Sequence, residues 1–298
     1  MTDEIAFKPP RPNPFVGFAR TTWRGFTLLR ESGPAMVGVG IVAFWVVMAL
    51  FAPLIAPFGP TEQMVPFQPP FSEADGFGTF WLGTDVLGRD ILSRVIWGAR
   101  STLIYAPVAT GCAYVVGILL GLWAGYMRGA VDEVLSFVAN VILSFPVMVL
   151  YVVIISVFGA SGLNIIVAIT FASAPGIFRI VRGLVFDLRN RDYVAAAQTR
   201  GEGTWYILLV EILPNARGPL IVDACLRMGY VTIVIGALGF LGLGLPQPDP
   251  NWGNMLASVR DVMLAFPHMS IFPCIAISSL VLGLNLMADG IREISMRD

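Results

Sequence analysis

Six apolar runs, each long enough to cross a hydrocarbon layer as a helix, dominate the sequence and constrain its fold more than any motif does. A helix rises about 1.5 Å per residue and pairs its own backbone polar groups, so crossing a core of about 30 Å takes about 20 mainly apolar residues. The runs are Ala35–Ala56, Thr102–Tyr126, Val134–Phe158, Leu163–Val185, Pro219–Leu245 and Ile271–Ala288. They predict an all-α membrane protein with six transmembrane helices. Charge agrees, since 13% of residues are charged where soluble domains average about 25%. The first run lies behind an acidic, proline-rich stretch and is too long for the core of a signal peptide, so it reads as an uncleaved anchor.

What is missing narrows the chemistry. A formal net charge of −1 leaves no basic excess to grip a phosphate backbone, which excludes nucleic acid as a partner. Cys112, Cys225 and Cys274 stand far apart in apolar stretches, without a C-x-x-C pair or a Cys/His cluster, so neither a disulfide framework nor a metal site is expected. The single histidine, His268, sits beside Pro267 in a loop, as a solvated or packed ring. No nucleophile–histidine–acid set, phosphate-cradling G-x-x-x-x-G-K-[ST] or H-E-x-x-H occurs, so no catalytic site is expected. Ionisable groups near the spans have bland readings. Arg179 and Arg182 can snorkel from the end of the fourth run, while Asp223 and Arg227 can neutralise each other at i,i+4. If transport is driven, its energy enters from another subunit.

Orientation follows from lysine and arginine, which short cytoplasmic loops retain. With the N-terminus inside, fourteen fall on the cytoplasmic side: Lys8, Arg11, Arg20, Arg24, Arg30, Arg128, Arg179, Arg182, Arg189, Arg191, Arg200, Arg217, Arg292 and Arg297. Arg89, Arg94, Arg100 and Arg260 fall outside, and Arg227 lies within the fifth run. Both termini are therefore expected in the cytoplasm. The organisation becomes a tail over 1–34, a membrane domain over 35–288 and a tail over 289–298. The domain carries external loops at 57–101 and 246–270 and a cytoplasmic loop at 186–218.

That cytoplasmic loop reads RDYVAAAQTRGEGTWYILLVEILPNARGP. The alanine-rich stretch from Val194 to Gln198 favours a helix, Gly201 and Gly203 interrupt it, and Thr204 can cap a second short helix that Pro214 stops. Both would lie parallel to the membrane. The loop resembles the E-A-A-x-x-x-G…I-x-L-P segment of inner-membrane permeases of binding-protein-dependent ABC importers. Ala195, Ala196, Ala197 and Gly201 match its first part, and Leu213 and Pro214 its last. Ala195 replaces the glutamate and Glu211 the isoleucine. The resemblance implies that Val194, Ala195, Ala196, Ala197, Arg200, Gly201, Leu213 and Pro214 belong to an ATPase-coupling loop. An alanine-rich interfacial helix with a glycine terminator is the plainer reading.

Two further strings carry the same resemblance. GTDVLGRDILSRVIWGARSTL ends the first external loop, where Asp85 can cap a helix resting at the membrane interface, with Asp90 and Arg94 paired at i,i+4. It is similar to the signature of the dipeptide, oligopeptide and nickel branch of these permeases. Its plain reading is an anchor without a substrate role. GALGFLGLGLPQPDPNWGNML ends the fifth run, and its Gly236, Gly239, Gly242 and Gly244 permit close helix packing. With Asn251, Trp252 and Gly253 it resembles the C-type subunit of that branch.

The implied function is a permease subunit of an ATP-driven importer in the bacterial inner membrane, forming half of a pathway for short peptides or a related small solute. The implied partners are a second, B-type permease subunit, two cytoplasmic ATPase subunits that bind ATP and Mg, and an extracytoplasmic solute-binding protein; this chain would bind no cofactor. Polar residues on the runs could line the pathway, namely Asn140, Ser144, Ser173 and Ser278, with Thr170, Ser279 and Asn285 near them. Their plainer role is to hydrogen-bond between helices or to carbonyls freed by proline. A carrier or channel acting alone is the rival, and an intramembrane enzyme the second. The charge distribution predicts that cysteine probes at 75 or 255 react from outside intact cells. Reaction at 205 from that side would overturn the orientation.

Overall fold

The computed structural model describes residues 32–295 except 75, 77 and 247. Expectations for residues 1–31, including five of the fourteen cytoplasmic cations, and for Arg297 lie outside the described residues.

Helix α1 (Gly33–Leu50) and the short α2 (Ala52–Ile55) lead into an extended segment holding one antiparallel hairpin, β1 (Ser72–Ala74) and β2 (Gly78–Phe80), in which Ser72 faces Phe80. Then come α3 (Ile91–Met127), α4 (Gly129–Ser144), α5 (Val147–Phe158) and α6 (Gly162–Leu188). The remaining elements are α7 (Asp192–Thr199), α8 (Thr204–Tyr206), a π-helical turn (Ile207–Ile212), α9 (Leu213–Phe240), α10 (Trp252–Ser258) and α11 (His268–Ser295). Among the described residues, five helical stretches are long and apolar enough to cross a membrane, and α4 with α5, bent by 89°, makes a sixth if the pair is counted as one span.

The bundle is organised by α3 against α6. Gly117, Gly121 and Gly125 form a row one turn apart, and a Cβ on each would stand 2.6, 2.7 and 2.8 Å from the Cβ of Ile177, Val181 and Val185. Missing side chains on one helix thus receive β-branched side chains of the other, all three fully buried. In a membrane such close approach supplies the dispersion contacts that hydrophobicity cannot, because lipid tails are as apolar as the helix faces. Partner numbers rise together along both helices, so α3 and α6 run parallel. Their C-terminal ends share one face of the bundle, hereafter the near face.

The other crossings follow from that pair. α9 runs back from the near face, since it packs Gly229 and Gly236 beside Asn285 and Ile277 of an antiparallel α11. α1 is antiparallel to α11, with Gly38 pressed on Gly283 and Met287, and Gly290 on Ala35. Both ends of the described chain therefore lie at the near face. Because α3 ends there and α6 begins at the far face, α4 and α5 together carry the chain across.

Three expectations change. The third run is not one helix: Phe145 is extended (φ −85, ψ 143) before Pro146, because the proline ring disfavours helical geometry in the preceding residue. Pro107, Pro175, Pro219 and Pro273 remain inside helices. Nor does Pro214 stop a helix. The chain is helical from Thr204 to Phe240, and the π turn precedes the proline, where a wider turn relieves the clash of its ring with an earlier carbonyl. Lastly, Met255 is only 4% exposed, so Leu264, at 93%, is the sounder position for a probe from the far face.

The seam yields a stability prediction. Gly121→Leu drives a side chain into Val181 and should cost about 1–3 kcal/mol or more by overpacking, read as lower abundance and melting temperature in detergent. Gly183→Leu, where nothing lies within 4 Å of the new Cβ, should leave both unchanged.

Candidate functional site

At the far face the two signature strings pack on each other. Asp90, not Asp85, caps α3, accepting from the backbone N–H of Ser93 at 2.7 Å. Burial pushes the Asp90 carboxyl up from its ordinary value, against the lowering effect of its bonds from Ser93. Asp85 instead closes the turn before it, taking the N–H groups of Leu87 and Arg89 on Oδ1 at 2.9 and 3.0 Å. Its Oδ2 receives Arg89 Nε at 2.7 Å and faces Arg94 Nε at 3.7 Å. Arg94 is thus paired to Asp85 and to the Pro60 carbonyl (2.8 Å), and not to Asp90 one turn back.

Around this cluster the loop is sewn to the helix. Phe58 N–H donates to Ser93 Oγ at 3.0 Å, Thr84 Oγ1 donates to the Val65 carbonyl at 2.6 Å, and Gly88, at φ +75, lets the Met64 backbone approach. The expected interface helix is therefore the first part of α3, buried under residues 57–90. The second string seals it from the other side. Trp252 Nε1 donates to the Val95 carbonyl at 2.9 Å, and its ring fills the space left by Gly98. Ser101 Oγ donates to the Pro250 carbonyl at 2.5 Å.

At the near face, α7 ends in a glycine terminator. Gly201 has φ +75; its N–H donates to the Gln198 carbonyl at 2.9 Å, and Glu202 N–H donates to that of Ala197 at 3.2 Å. This bond pair is the Schellman arrangement, which favours a residue free to adopt positive φ. Of the loop residues read from sequence, Val194 and Ala197 are buried against Ile207, Leu208 and Ile212. Ala195, Ala196, Arg200, Gly201 and Pro214 are exposed, and Leu213 is half-buried. Glu211 accepts from Arg200 Nη2 at 3.0 Å, joining the two sides of the glycine. Gln198 Nε2 donates to Tyr126 Oη at 3.1 Å, and Arg189 Nη1 to the Tyr126 carbonyl at 3.0 Å, tying the loop to the end of α3. Sequence reasoning missed exposed Trp205, Tyr206, Leu209 and Val210; the signal was an apolar run with more members than one inward face can hold.

Within the bundle, the expected lining residues do not converge. Asn140 accepts from Arg179 Nη2 at 2.7 Å, and exposed Ser144 turns back to the Val141 carbonyl at 2.7 Å. Ser278 is exposed on α11, while its neighbour Ser279 receives Trp45 Nε1 at 3.0 Å and so joins α11 to α1. Arg182, read from sequence as able to snorkel, has a carboxylate partner. Its guanidinium grips both carboxylate oxygens of Asp132 on α4. Only Ser173 of the four lines the cavity of about 180 Å³ between α3, α4, α5, α6 and α9, whose polar lining residues also include Thr110, Tyr151, Arg227 and Tyr230. Arg227 Nε donates to Asp223 Oδ2 at 2.7 Å, as the spacing suggested, and the same oxygen takes a short bond from Tyr114. The tyrosines gave no sequence signal, because an aromatic residue on an apolar face reads as core.

Comparison with known proteins gives these sites a context. Residues 117–297 match the model of the binding-protein-dependent transport system inner membrane component, and residues 18–70 that of the N-terminal TM domain of oligopeptide transport permease C. The chain belongs to this family of inner-membrane permeases. It is 38% identical to the di/tripeptide transport system permease protein DppC of Pseudomonas aeruginosa over 95% of this chain and 91% of the relative. It is 35% identical to the dipeptide transport system permease protein DppC of Alkalihalophilus pseudofirmus over 98% and 94%. To the glutathione transport system permease protein GsiD of Pectobacterium atrosepticum it is 33% identical over 92% and 90%. It is a permease subunit of a binding-protein-dependent ABC transport system, seated in the inner membrane.

The far-face cluster makes a prediction for this permease. Asp85, Arg89 and Arg94 have side chains 6%, 5% and 3% exposed, so removing the shared carboxylate strands two buried cations. Asp85→Ala should cost about 3–5 kcal/mol, as breaking a buried pair does, measured as a fall in melting temperature of the purified protein.

Proposed function

We propose that this permease subunit joins a second, B-type permease subunit to form a pathway for short peptides or closely related solutes. Two cytoplasmic ATPase subunits, which bind the ATP and Mg, drive it, and an extracytoplasmic solute-binding protein supplies it. The observation carrying this reading is alignment over nearly the whole chain with permeases whose names specify di/tripeptides, dipeptides or glutathione. The sequence holds no motif of its own for cradling a nucleotide phosphate.

The near face is the cytoplasmic one in this proposal, because among the described residues it gathers Arg128, Arg179, Arg182, Arg189, Arg191, Arg200, Arg217 and Arg292 against Arg89, Arg94, Arg100 and Arg260 toward the far face. There α7 serves as the coupling helix. Exposed Ala195 and Ala196 offer a small-residue surface that an ATPase groove can approach closely. Val194 and Ala197 anchor the helix from beneath, so a push on α7 is delivered to the Thr204–Phe240 helix as rigid-body motion. Neither α7 nor any other described element supplies a catalytic constellation in this reading.

Copurification and reconstitution test the proposal. The tagged subunit should bring down an ATPase, and alone in proteoliposomes should neither hydrolyse ATP nor take up solute; ATP-independent uptake by the lone chain would sink the reading in favour of a self-sufficient carrier. Gly201→Val meets no neighbour within 4 Å but must hold φ near +75, at a local cost of about 1–2 kcal/mol. It should insert at normal abundance yet lose ATPase copurification or coupling, whereas Ala195→Ser should be nearly silent. Unchanged transport and substrate-stimulated hydrolysis in Gly201→Val would reduce the glycine to a mere helix terminator.

A further inference from the structure

We propose that Arg227 is a carboxylate-binding residue of the pathway, and that the cavity around it receives the free C-terminal carboxylate of a short peptide in transit. This rests on the reading of the chain as a peptide permease subunit.

Asp223, one turn earlier on α9, takes Arg227 Nε at 2.7 Å and is itself fixed by Tyr114 from α3, whose hydroxyl also lies within reach of the guanidinium. Holding an arginine through Nε orients its planar fork and turns the Nη edge away from Asp223, the geometry suited to bidentate capture of a carboxylate. The fork extends to Gly176 of α6, where a Cβ would lie 3.3 Å from Nη1 and 3.4 Å from Nη2. Any side chain there would cover the fork. With glycine there, Arg227 lines the cavity.

The rest of the cavity is chemically consistent with this ligand. Thr110 Oγ1 is buried, lines the cavity and has no hydrogen-bond partner among the described residues. An orphaned hydroxyl of this kind costs free energy unless something enters to meet it. Tyr151, fully buried, bonds Ser173 at 3.3 Å, and Tyr230 completes the polar side. Leu143 and Val147, flanking the break between α4 and α5, supply an apolar wall for a small side chain. The break at Phe145–Pro146 is thus what opens room beside Arg227, and about 180 Å³ suits the end of a small peptide, not a large ligand.

The test uses the complete transporter with its binding protein in proteoliposomes, and dialanine and dialaninamide as probes. Arg227→Lys preserves the charge pair with Asp223 and so folding, but gives up the fork; Arg227→Gln removes the charge. Dialanine uptake should fall about tenfold in Arg227→Lys at normal abundance, the scale of a lost hydrogen bond to a charged group, with affinity of the binding protein for dialanine unchanged. A second readout is independent of turnover. In a background lacking Cys112, Cys225 and Cys274, a thiol reagent should modify Thr110→Cys more slowly with dialanine present than with dialaninamide, and Arg227→Lys should abolish that difference. Protection without any ATP-driven uptake of dialanine would keep the carboxylate site and refute peptide transport. Wild-type uptake and equal labelling in both Arg227 variants would keep the transporter and refute the site.

Discussion

Everything in this bundle hangs from the contact between Gly117, Gly121 and Gly125 and the row Ile177, Val181 and Val185. Within a bilayer, water does not push apolar helices together, so a pair that meets closely enough to gain dispersion over several turns becomes the frame for the others. Because this pair is parallel, the chain between α3 and α6 must return across the bundle, and it does so through the bent α4–α5 crossing. α9, α11 and α1 then stack antiparallel in sequence, again through glycines that let backbones approach, at Gly229, Gly38 and Gly283. The near-face loop and the far-face signature strings are placed at opposite ends by this one decision.

Charges are handled by the same economy of contact. Arg94, Arg89 and Asp85 share one buried cluster, Arg182 grips Asp132, and Arg227 grips Asp223. Each cation is tied to a carboxylate across or along a helix, as expected where an isolated charge would be costly. In the first case the consequence is architectural, since it fastens residues 57–90 over the start of α3. In the third it is a guanidinium, held through Nε, at the wall of a cavity.

Sequence patterns were most informative where the cause is local. Six apolar runs follow from hydropathy, the terminator at Gly201 from the need for positive φ, and the Asp223–Arg227 pair from i,i+4 spacing. The three signature strings identified the permease family because their letters are individually constrained: Gly88 admits a backbone, Asp90 caps a helix, Trp252 fills the void over Gly98. The same letters misled on mechanism. Asp85 and Asp90 are equally good caps by composition, and which one meets the helix depends on where the preceding loop folds back.

The sequence by itself determined membrane residence, the family and the site of the near-face loop, all properties of length, charge and local backbone chemistry. Tertiary structure alone decided which proline breaks its helix, which carboxylate holds Arg94, which alanines of α7 face outward and which polar residues meet around Arg227. The physical reason is the same for each. Pro107, Pro175, Pro214 and Pro146 all lack an N–H, and Thr110, Ser144 and Ser173 all carry hydroxyls, so their chemistry is identical in the sequence. Only the neighbour supplied by another helix separates a tolerated proline from a break, or a satisfied hydroxyl from one left open in a cavity.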